Sequence, residues 1–309
     1  MSGTSSPGRT AALTSLALLA FAGNSLLCRL ALKQTSIDPA SFTSVRLGSG
    51  ALVLALLVAW RGRAHGRTAS AAPWAAGDWT AALALFVYAA GFSFAYVSLS
   101  AATGALLLFG VVQTTMIGWG LWRGERLRPL QWAGLAAASA GLVWLLLPGL
   151  ATPSLAAGLL MGSAGVAWAV YTLRGRTAGG DPTAVTAGNF IRATPMALGV
   201  SLLMAAQARW DTPGLLLALA SGALASGAGY AIWYTALRGL AATRAAILQL
   251  SVPALATAGG VLLLGEPVTP HLLGASLAVL GGVLLVILAR PPAPLGSPSP
   301  APPPLPPGR

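Results

Sequence analysis

Long apolar stretches alternate with short polar gaps over most of this chain. Ten of the stretches have about 20 residues, the length that a helix needs to cross the hydrocarbon of a bilayer. They predict an all-α integral membrane protein with ten transmembrane helices, at 11–32, 39–60, 79–99, 102–122, 129–147, 155–173, 182–206, 214–237, 241–264 and 271–289. The flanking segments are polar at 1–10 and proline-rich at 291–309, and we expect the second to be a disordered cytoplasmic tail.

The pattern of the first five stretches recurs in the last five. An Ala-Ala-Thr-x-Ala motif opens a stretch at 101 and again at 241, and a Gly-Glu pair closes it at 124 and again at 265. These motifs divide the chain into two five-helix repeats, 11–148 and 155–290. Because five is odd, the second repeat enters the membrane from the opposite face, so we expect two inverted repeats. Transporters built in this way bind substrate between the two halves.

Composition narrows the class of protein. Hydrophobic residues make up 56% of the 309 positions and charged residues only 8%, against about 25% charged in soluble domains. The 18 basic residues outnumber the 6 acidic ones, but they lie mostly in gaps between apolar stretches, which argues against nucleic-acid binding. A single cysteine and two separated histidines, His65 and His271, indicate no internal disulfide, no metal site and no cofactor.

The distribution of basic residues predicts the orientation. If the N-terminus is cytoplasmic, one side holds thirteen basic residues and the other side three. The three are Arg29, Lys33 and Arg209. The positive-inside rule then places both termini in the cytoplasm of a multi-pass protein, which we expect in a bacterial inner membrane.

Several motifs resemble a known family. The segment 222–253 and the motif Leu264-Gly265-Glu266-Pro267 are similar to the second repeat of EamA-type members of the drug/metabolite transporter superfamily. Gly23-Asn24, Arg46 and Gly124-Glu125 give the first repeat a weaker similarity. The resemblance implies a central cavity between inverted repeats and alternating access, commonly for export of amino acids or related metabolites. It also implies a small-molecule substrate, lipid contact, and a monomer or homodimer as the working state.

Arg192 is the sharpest candidate for a substrate contact. At roughly 1.5 Å per residue it lies about 15 Å inside the seventh stretch, and no acidic residue lies at a comparable depth. A guanidinium there suits the carboxylate of an anionic or zwitterionic substrate. The alternative is an arginine tied to backbone carbonyls or reaching back to the cytoplasm. Arg46 and its repeat partner Asn189 each lie about 10 Å deep, and for Arg46 a structural or gating role competes with substrate contact.

Aromatic and amide side chains complete the predicted site. Tyr230, Trp233 and Tyr234 have the i, i+3, i+4 spacing of one helical face. Packing against lipid or neighbouring helices is the alternative for each ring. Unpaired amides are costly in lipid, so they are expected to face protein or water. The predicted substrate-binding residues are Arg192, Asn189, Asn24, Trp168, Tyr230, Trp233, Gln249 and Arg46.

The acidic residues all fall in loops or at helix ends. Asp38, Asp181 and Asp211 precede prolines at predicted helix starts and are expected to be caps. Glu125 and Glu266 are expected to cap the turn between two helices. No carboxylate remains within a stretch for proton coupling, which favours facilitated diffusion or exchange. A membrane enzyme is the main alternative, although no nucleophile has a plausible base nearby. A channel or a non-transporting sensor or scaffold on the same fold is a further alternative.

Overall fold

The computed structural model describes residues 7–64, 73–124, 127–146, 154–237 and 248–289. Within these ranges the chain forms helices and no strands. Glu125, Arg126, Arg238, Arg244 and the first part of the ninth predicted helix lie outside the described residues. The terminal segments 1–6 and 290–309 also lie outside them.

In the described part of the chain, ten helices occupy nearly the positions that the apolar pattern predicts. Their bounds are α1 Pro7–Gln34, α2 Pro39–Ala64, α3 Trp79–Tyr96, α4 Ala101–Trp122, α5 Pro129–Leu146, α6 Leu155–Thr177, α7 Pro182–Leu203, α8 Thr212–Leu237, α9 Ser251–Leu264 and α10 Pro270–Leu288. Two short 3₁₀ turns, Pro73–Ala75 and Ala205–Gln207, precede α3 and α8.

Aspartates and hydroxyl side chains begin many of these helices. Asp38 accepts hydrogen bonds from the backbone N–H groups of Ala40 and Ser41. Asp181 and Asp211 accept them from Thr183 and Gly214 at the starts of α7 and α8. The predicted capping role of these three aspartates is therefore confirmed. Such caps satisfy N–H groups that a helix start leaves without a partner.

Seven of the described helices are long and apolar enough to cross a membrane. They are α1, α2, α3, α4, α6, α8 and α10. The described part of α9 has only 14 residues, and α7 contains both Arg192 and Pro195. The all-helical membrane-type fold is thus confirmed, whereas ten crossings remain a prediction.

The helix pairs follow a regular scheme. Helix α2 packs on α7, α5 on α10, α4 on α9, α3 on α6, and α1 on α8. This set of pairs is unchanged when α1–α5 exchange places with α6–α10. The start of α2 lies beside the end of α7, because Ser44 bonds to Ser201. The end of α2 lies beside the start of α7, because Arg61 bonds to Thr183. Corresponding helices of the two halves are therefore antiparallel here.

The pair formed by α5 and α10 is antiparallel in the same way. Gln131 donates to the Val286 carbonyl near one end, and the Trp144 ring lies against His271 near the other. Glycines allow this close approach, because a Cβ on Gly134 would lie 2.6 Å from the Gly282 carbonyl oxygen. Larger residues there would separate the helices.

Helix α8 contains a feature that the apolar pattern does not reveal. Its middle turns, Ala220–Ala228, are π-helical between two α-helical parts, Thr212–Leu219 and Gly229–Leu237. The π segment touches α2, since a Cβ on Gly222 would lie 2.2 Å from the Arg46 carbonyl oxygen. π-Helical turns occur often at functional sites.

Candidate functional site

Aromatic rings from both halves of the chain meet inside the helical bundle. The central aromatic cluster comprises Phe21, Tyr88, Phe92, Trp168, Phe190, Tyr230 and Trp233. Trp168 is its hub, with ring centroids 4.7 Å from Tyr88 and 5.1 Å from Tyr230. Phe21 lies 5.6 Å from Trp233. The cluster therefore joins α1, α3, α6, α7 and α8.

Arg46 places a cation beside this cluster. Its side chain is only 1% exposed, and Cζ lies 5.2 Å from the Tyr88 ring centroid and 4.9 Å from that of Phe92. Nη2 donates to the Tyr88 hydroxyl at 3.0 Å, and Nε donates to Ser226 Oγ at 3.2 Å. Helices α2, α3 and α8 thus fix the guanidinium plane. Arginines stack on aromatic rings in this manner.

Asn24 lies on α1 and is also joined to the π segment. Its Oδ1 accepts a 2.6 Å hydrogen bond from the Ser221 hydroxyl, and both side chains are buried. Ser221 and Ser226 are five residues apart, the interval of a π-helical hydrogen bond. Through them the π segment binds α1 at one point and α2 at the other.

Arg192 has the carbonyl-bound environment that is one of the two alternatives predicted for it. Its guanidinium donates to the backbone carbonyls of Gly188 at 3.1 Å and Trp74 at 2.8 Å, and also to that of Ala76. Cζ lies 5.8 Å from the Trp79 ring. The guanidinium is therefore engaged by the segment before α3, as the carbonyl-bound alternative requires. A substrate contact by Arg192 therefore stays a prediction, and these hydrogen bonds give it a structural role in this structure.

Asn189 belongs to the same end of the bundle as Arg192. Its Oδ1 accepts a 3.0 Å hydrogen bond from the backbone N–H of Asp78. Asn189 also lines a narrow cavity together with Tyr171, Thr186 and Tyr234. This cavity adjoins the central aromatic cluster, because the rings of Tyr171 and Trp168 lie 5.5 Å apart. Asn189 is thus beside the cluster and has a structural hydrogen bond of its own.

Gln249 lies in the short helical stretch before α9 and is buried. The next residue, Leu250, packs against Ala138, Val283 and Ile287 of α5 and α10. Within the described ranges, no hydrogen bond joins Gln249 to the central aromatic cluster, so its place in the site remains a prediction.

We name one end of the bundle the Asp78 end. It consists of the segment Trp74–Asp78 with Arg174, Asn189 and Arg192. Asp78 caps α3 through the Ala81 N–H and pairs with Arg174 at 3.0 Å. Burial raises the pKa of the Asp78 carboxyl, but hydrogen bonds from Ala81 and Arg174 and the Arg174 charge outweigh burial, so that the pKa lies below its usual value.

We name the opposite end of the bundle, where α3 finishes, the Glu266 end. It consists of Arg29, Tyr96, Val97, Ala101 and Glu266. Arg29 Nε donates to Glu266 Oε1 at 2.9 Å, and Glu266 Oε2 accepts from the Ala101 N–H at 2.8 Å. Arg29 Nη1 also reaches the Tyr96 and Val97 carbonyls. Glu266 therefore caps α4 rather than the following helix, and Thr269 caps α10 instead. This corrects the predicted role of Glu266.

Some residues of these contacts have weak sequence signals. Tyr88, Phe92 and Phe21 lie within apolar stretches, where periodicity does not distinguish core from site. Ser226 appears in the sequence only as one member of a small-residue pair. Asp78 precedes Trp79 at a predicted helix start, so the cap was recognisable, although its partner Arg174 was not.

Across the described ranges, no three His, Cys, Asp or Glu side chains are grouped to hold a metal ion.

Comparisons with known proteins agree on one family. Residues 155–288 match the sequence model of the EamA-like transporter family. An uncharacterized protein of Pseudomonas aeruginosa is 57% identical over 282 residues, which are 91% of this chain and 96% of that protein. The threonine/homoserine exporter RhtA of Escherichia coli (strain K12) is 32% identical over 168 residues. That match spans 52% of this chain and 56% of the exporter, about half of each.

A crystal structure of another protein has the same fold. It is 21% identical, covers 92% of this chain and 98% of its own, and superposes with a TM-score of 0.62. At this identity the likeness shows the fold alone.

These matches, together with seven helices able to cross a membrane, identify a multi-pass membrane transporter and exclude the enzyme alternative. The chain belongs to the EamA-like transporter family.

Proposed function

We propose that this transporter moves amino acids or closely related metabolites by alternating access, in the direction of export. The printed function of RhtA, a threonine/homoserine exporter, supports the substrate class. The observation that carries the proposal is the buried Arg46 beside aromatic rings from both halves. An ionisable residue inside a membrane bundle is costly, and it usually marks the path of a substrate or an ion.

The arrangement of the halves supports alternating access. Helices α2 and α7 are antiparallel, and so are α5 and α10. This is the relation expected of inverted repeats that rock about a site near the midplane. The central aromatic cluster lies between them. The proposed domains remain 11–148 and 155–290.

The proposed orientation has both termini and the Asp78 end in the cytoplasm, and the Glu266 end on the other side of a bacterial inner membrane. It rests on the thirteen-to-three distribution of basic residues. Reporter fusions after Arg63 and after Arg290 test it, because both positions are expected on the cytoplasmic side. Reporters on opposite sides of the membrane would contradict it.

We also propose transport without proton coupling, by facilitated diffusion or exchange. Four aspartates cap helices, and Glu266 is paired with Arg29. None of these five carboxylates lies in the middle of a described helix. Proton-driven transporters place titratable groups there.

Uptake of labelled solutes into proteoliposomes tests the function. A panel of amino acids and other small metabolites is measured with and without an imposed pH gradient. We expect saturable flux of amino acids that is indifferent to the gradient. Absence of flux across the panel would favour a sensor or scaffold. Accumulation driven by the gradient and lost in Glu266→Gln or Glu125→Gln would refute uncoupled transport.

A further inference from the structure

Two polar atoms inside the protein have no hydrogen-bond partner among the described residues. They are Nη1 of Arg46 and the hydroxyl of Tyr230. Arg46 is 1% exposed and Tyr230 is 3% exposed. Buried polar groups are nearly always hydrogen-bonded, so an unpaired one calls for an explanation.

The two groups belong to the same site. Arg46 bonds to Tyr88, and the Tyr88 ring contacts Trp168, which in turn contacts Tyr230. Phe190, whose ring centroid lies 5.7 Å from that of Tyr230, also packs against Gly50, one helical turn from Arg46. Both therefore face the central aromatic cluster, one from α2 in the first half and the other from α8 in the second.

Among the described residues, no acidic side chain balances the charge of Arg46. Arg46 forms hydrogen bonds with the hydroxyls of Tyr88 and Ser226, which are neutral. The two salt bridges found in the described residues involve Arg29 and Arg174 and not Arg46. A buried cation without a counter-charge is strongly unfavourable, and an anion beside it relieves that cost.

We propose that Arg46 Nη1 and the Tyr230 hydroxyl bind the carboxylate of the transported solute, one donor to each oxygen. This inference rests on the proposed function and names the group that the site recognises. Tyr88 and Ser226 are positioning residues, because they hold Nη2 and Nε so that the remaining N–H is presented in a fixed direction. A carboxylate accepts hydrogen bonds at both oxygens, which matches two separate donors.

The donor set also discriminates among anions. One guanidinium neutralises one charge, so the site matches a carboxylate better than a phosphate that carries nearly two. The remaining surface is aromatic, and Phe21 contacts both Trp168 and Trp233. Such rings accommodate the aliphatic part of a small amino acid and attract an ammonium group over their faces.

Paired ligands provide the test. The shift in melting temperature of the purified full-length protein is measured with each L-amino acid of the panel, with its carboxamide and with chloride. Flux of the same solutes is measured in proteoliposomes. In the wild-type protein, we expect stabilisation by transported acids and roughly 100-fold weaker binding of the amides, because the charge-assisted hydrogen bonds from both donors are lost.

Tyr230→Phe removes one donor and keeps the ring. It should lower the preference for acid over amide by roughly tenfold, whereas Arg46→Gln should abolish that preference. Arg46→Lys should retain part of it, since the charge remains but the fixed fork is lost. Tyr96→Phe is the matched control. The Tyr96 hydroxyl already faces the Ala101 carbonyl and, within the described residues, shares no hydrogen-bond partner with Arg46 or Tyr230, so the acid-to-amide ratio should change by less than about twofold.

The outcomes separate this proposal from the proposed function. Equal binding of acids and amides, an unchanged ratio in Tyr230→Phe, or equal stabilisation by chloride would overturn the carboxylate site. Flux without a preference for acids would leave transport standing while overturning the site. Acid-specific stabilisation without any flux would support the site and count against transport. If Arg46→Gln does not fold, the Tyr230→Phe result still decides.

Discussion

At the Glu266 end, Arg29 and Glu266 meet at 2.9 Å with each side chain only 12% exposed, whereas at the Asp78 end the pair Arg174–Asp78 is 46% and 42% exposed. The Glu266 end is held by this one shielded ion pair, whose members also bond to the Ala101 N–H and to two carbonyls at the end of α3. The Asp78 end is held instead by Arg192 on the carbonyls of Trp74 and Ala76.

The two ends differ in how many groups share the free energy that holds each end closed. A shielded ion pair concentrates it in two side chains, since removing either one leaves a charge without a partner. At the Asp78 end, the neutral carbonyls around the Arg192 guanidinium spread this free energy over several backbone groups. The exposed ion pair beside them adds little to it. We therefore expect single substitutions to open the Glu266 end more readily than the Asp78 end.

Glu266→Gln should have the largest effect. The substitution leaves Arg29 without a counter-charge and removes a charge-assisted hydrogen bond, which is worth about 1.5–3 kcal/mol. The population in which the Glu266 end is open should therefore rise roughly 10- to 150-fold. Cys28 is the only cysteine of the chain and is buried beside Arg29. The measurement is the rate at which a membrane-impermeant thiol reagent labels Cys28 in nanodiscs, where both faces are accessible.

Asp211→Asn is the matched control for this measurement. Asp211 caps α8 and accepts from the Ser36 N–H near the end of α1, but forms no ion pair among the described residues. Asparagine retains the cap, so labelling of Cys28 should be unchanged. If Glu266→Gln labels no faster than this control, the ion pair does not hold that end closed.

Arg192→Gln should have an intermediate effect at the Asp78 end. It removes the donors that hold Trp74 and Ala76, and we expect about 1–2 kcal/mol, or roughly 5- to 30-fold, because the groups are partly solvated. Thr186 is buried and lines the narrow cavity at this end. The rate of thiol labelling of Thr186→Cys, in a Cys28→Ser background in nanodiscs, reports the opening. The labelling rate with Arg192→Lys should lie between that of the parent and that of Arg192→Gln, because an ammonium group cannot reproduce the planar guanidinium fork.

Transport data sharpen the same test. Arg192→Gln should alter the flux of acids and amides alike, in contrast to Arg46→Gln. Arg209→Gln is the control, since Arg209 contacts Asp38 through its backbone and not its side chain. If Arg192→Gln lowers the flux of carboxylate-bearing solutes alone, Arg192 contacts the substrate and its purely structural role is contradicted.

Sequence reasoning predicted the positions of the helices well, because a membrane span requires a long apolar run whatever its neighbours are. It also brought Asn24, Arg46, Trp168, Tyr230 and Trp233 into one site, since polar or aromatic groups in such runs are informative. All five lie in or beside the central aromatic cluster.

Depth along a helix, however, does not specify the direction of a side chain. Arg192 and Arg46 were both predicted to be deep, yet the loop before α3 returns into the bundle and occupies the Arg192 donors. Likewise, the cap that Glu266 supplies to α4 joins residues 165 positions apart. Contacts of this kind depend on tertiary packing, and no local periodicity predicts them.

Asp78→Asn should have the smallest effect of the three. Asparagine keeps the cap on α3 and removes only the exposed pair with Arg174, which is worth about 0–1 kcal/mol. The rate of Thr186→Cys labelling should therefore rise by less than about fivefold.

The pH dependence follows from the lowered pKa of Asp78. A carboxyl whose pKa is lowered by folding stabilises the closed end above its unfolded value of about 3.9, and that contribution is lost as the pH falls through the folded value. The Asp78 contribution should therefore be constant between about pH 5 and pH 8. The measurement is the ratio of labelling rates for Asp78→Asn and its parent across that range. A ratio that varies with pH, or one above about fivefold, would mean that the charge of Asp78, and not the carbonyls around Arg192, dominates this end.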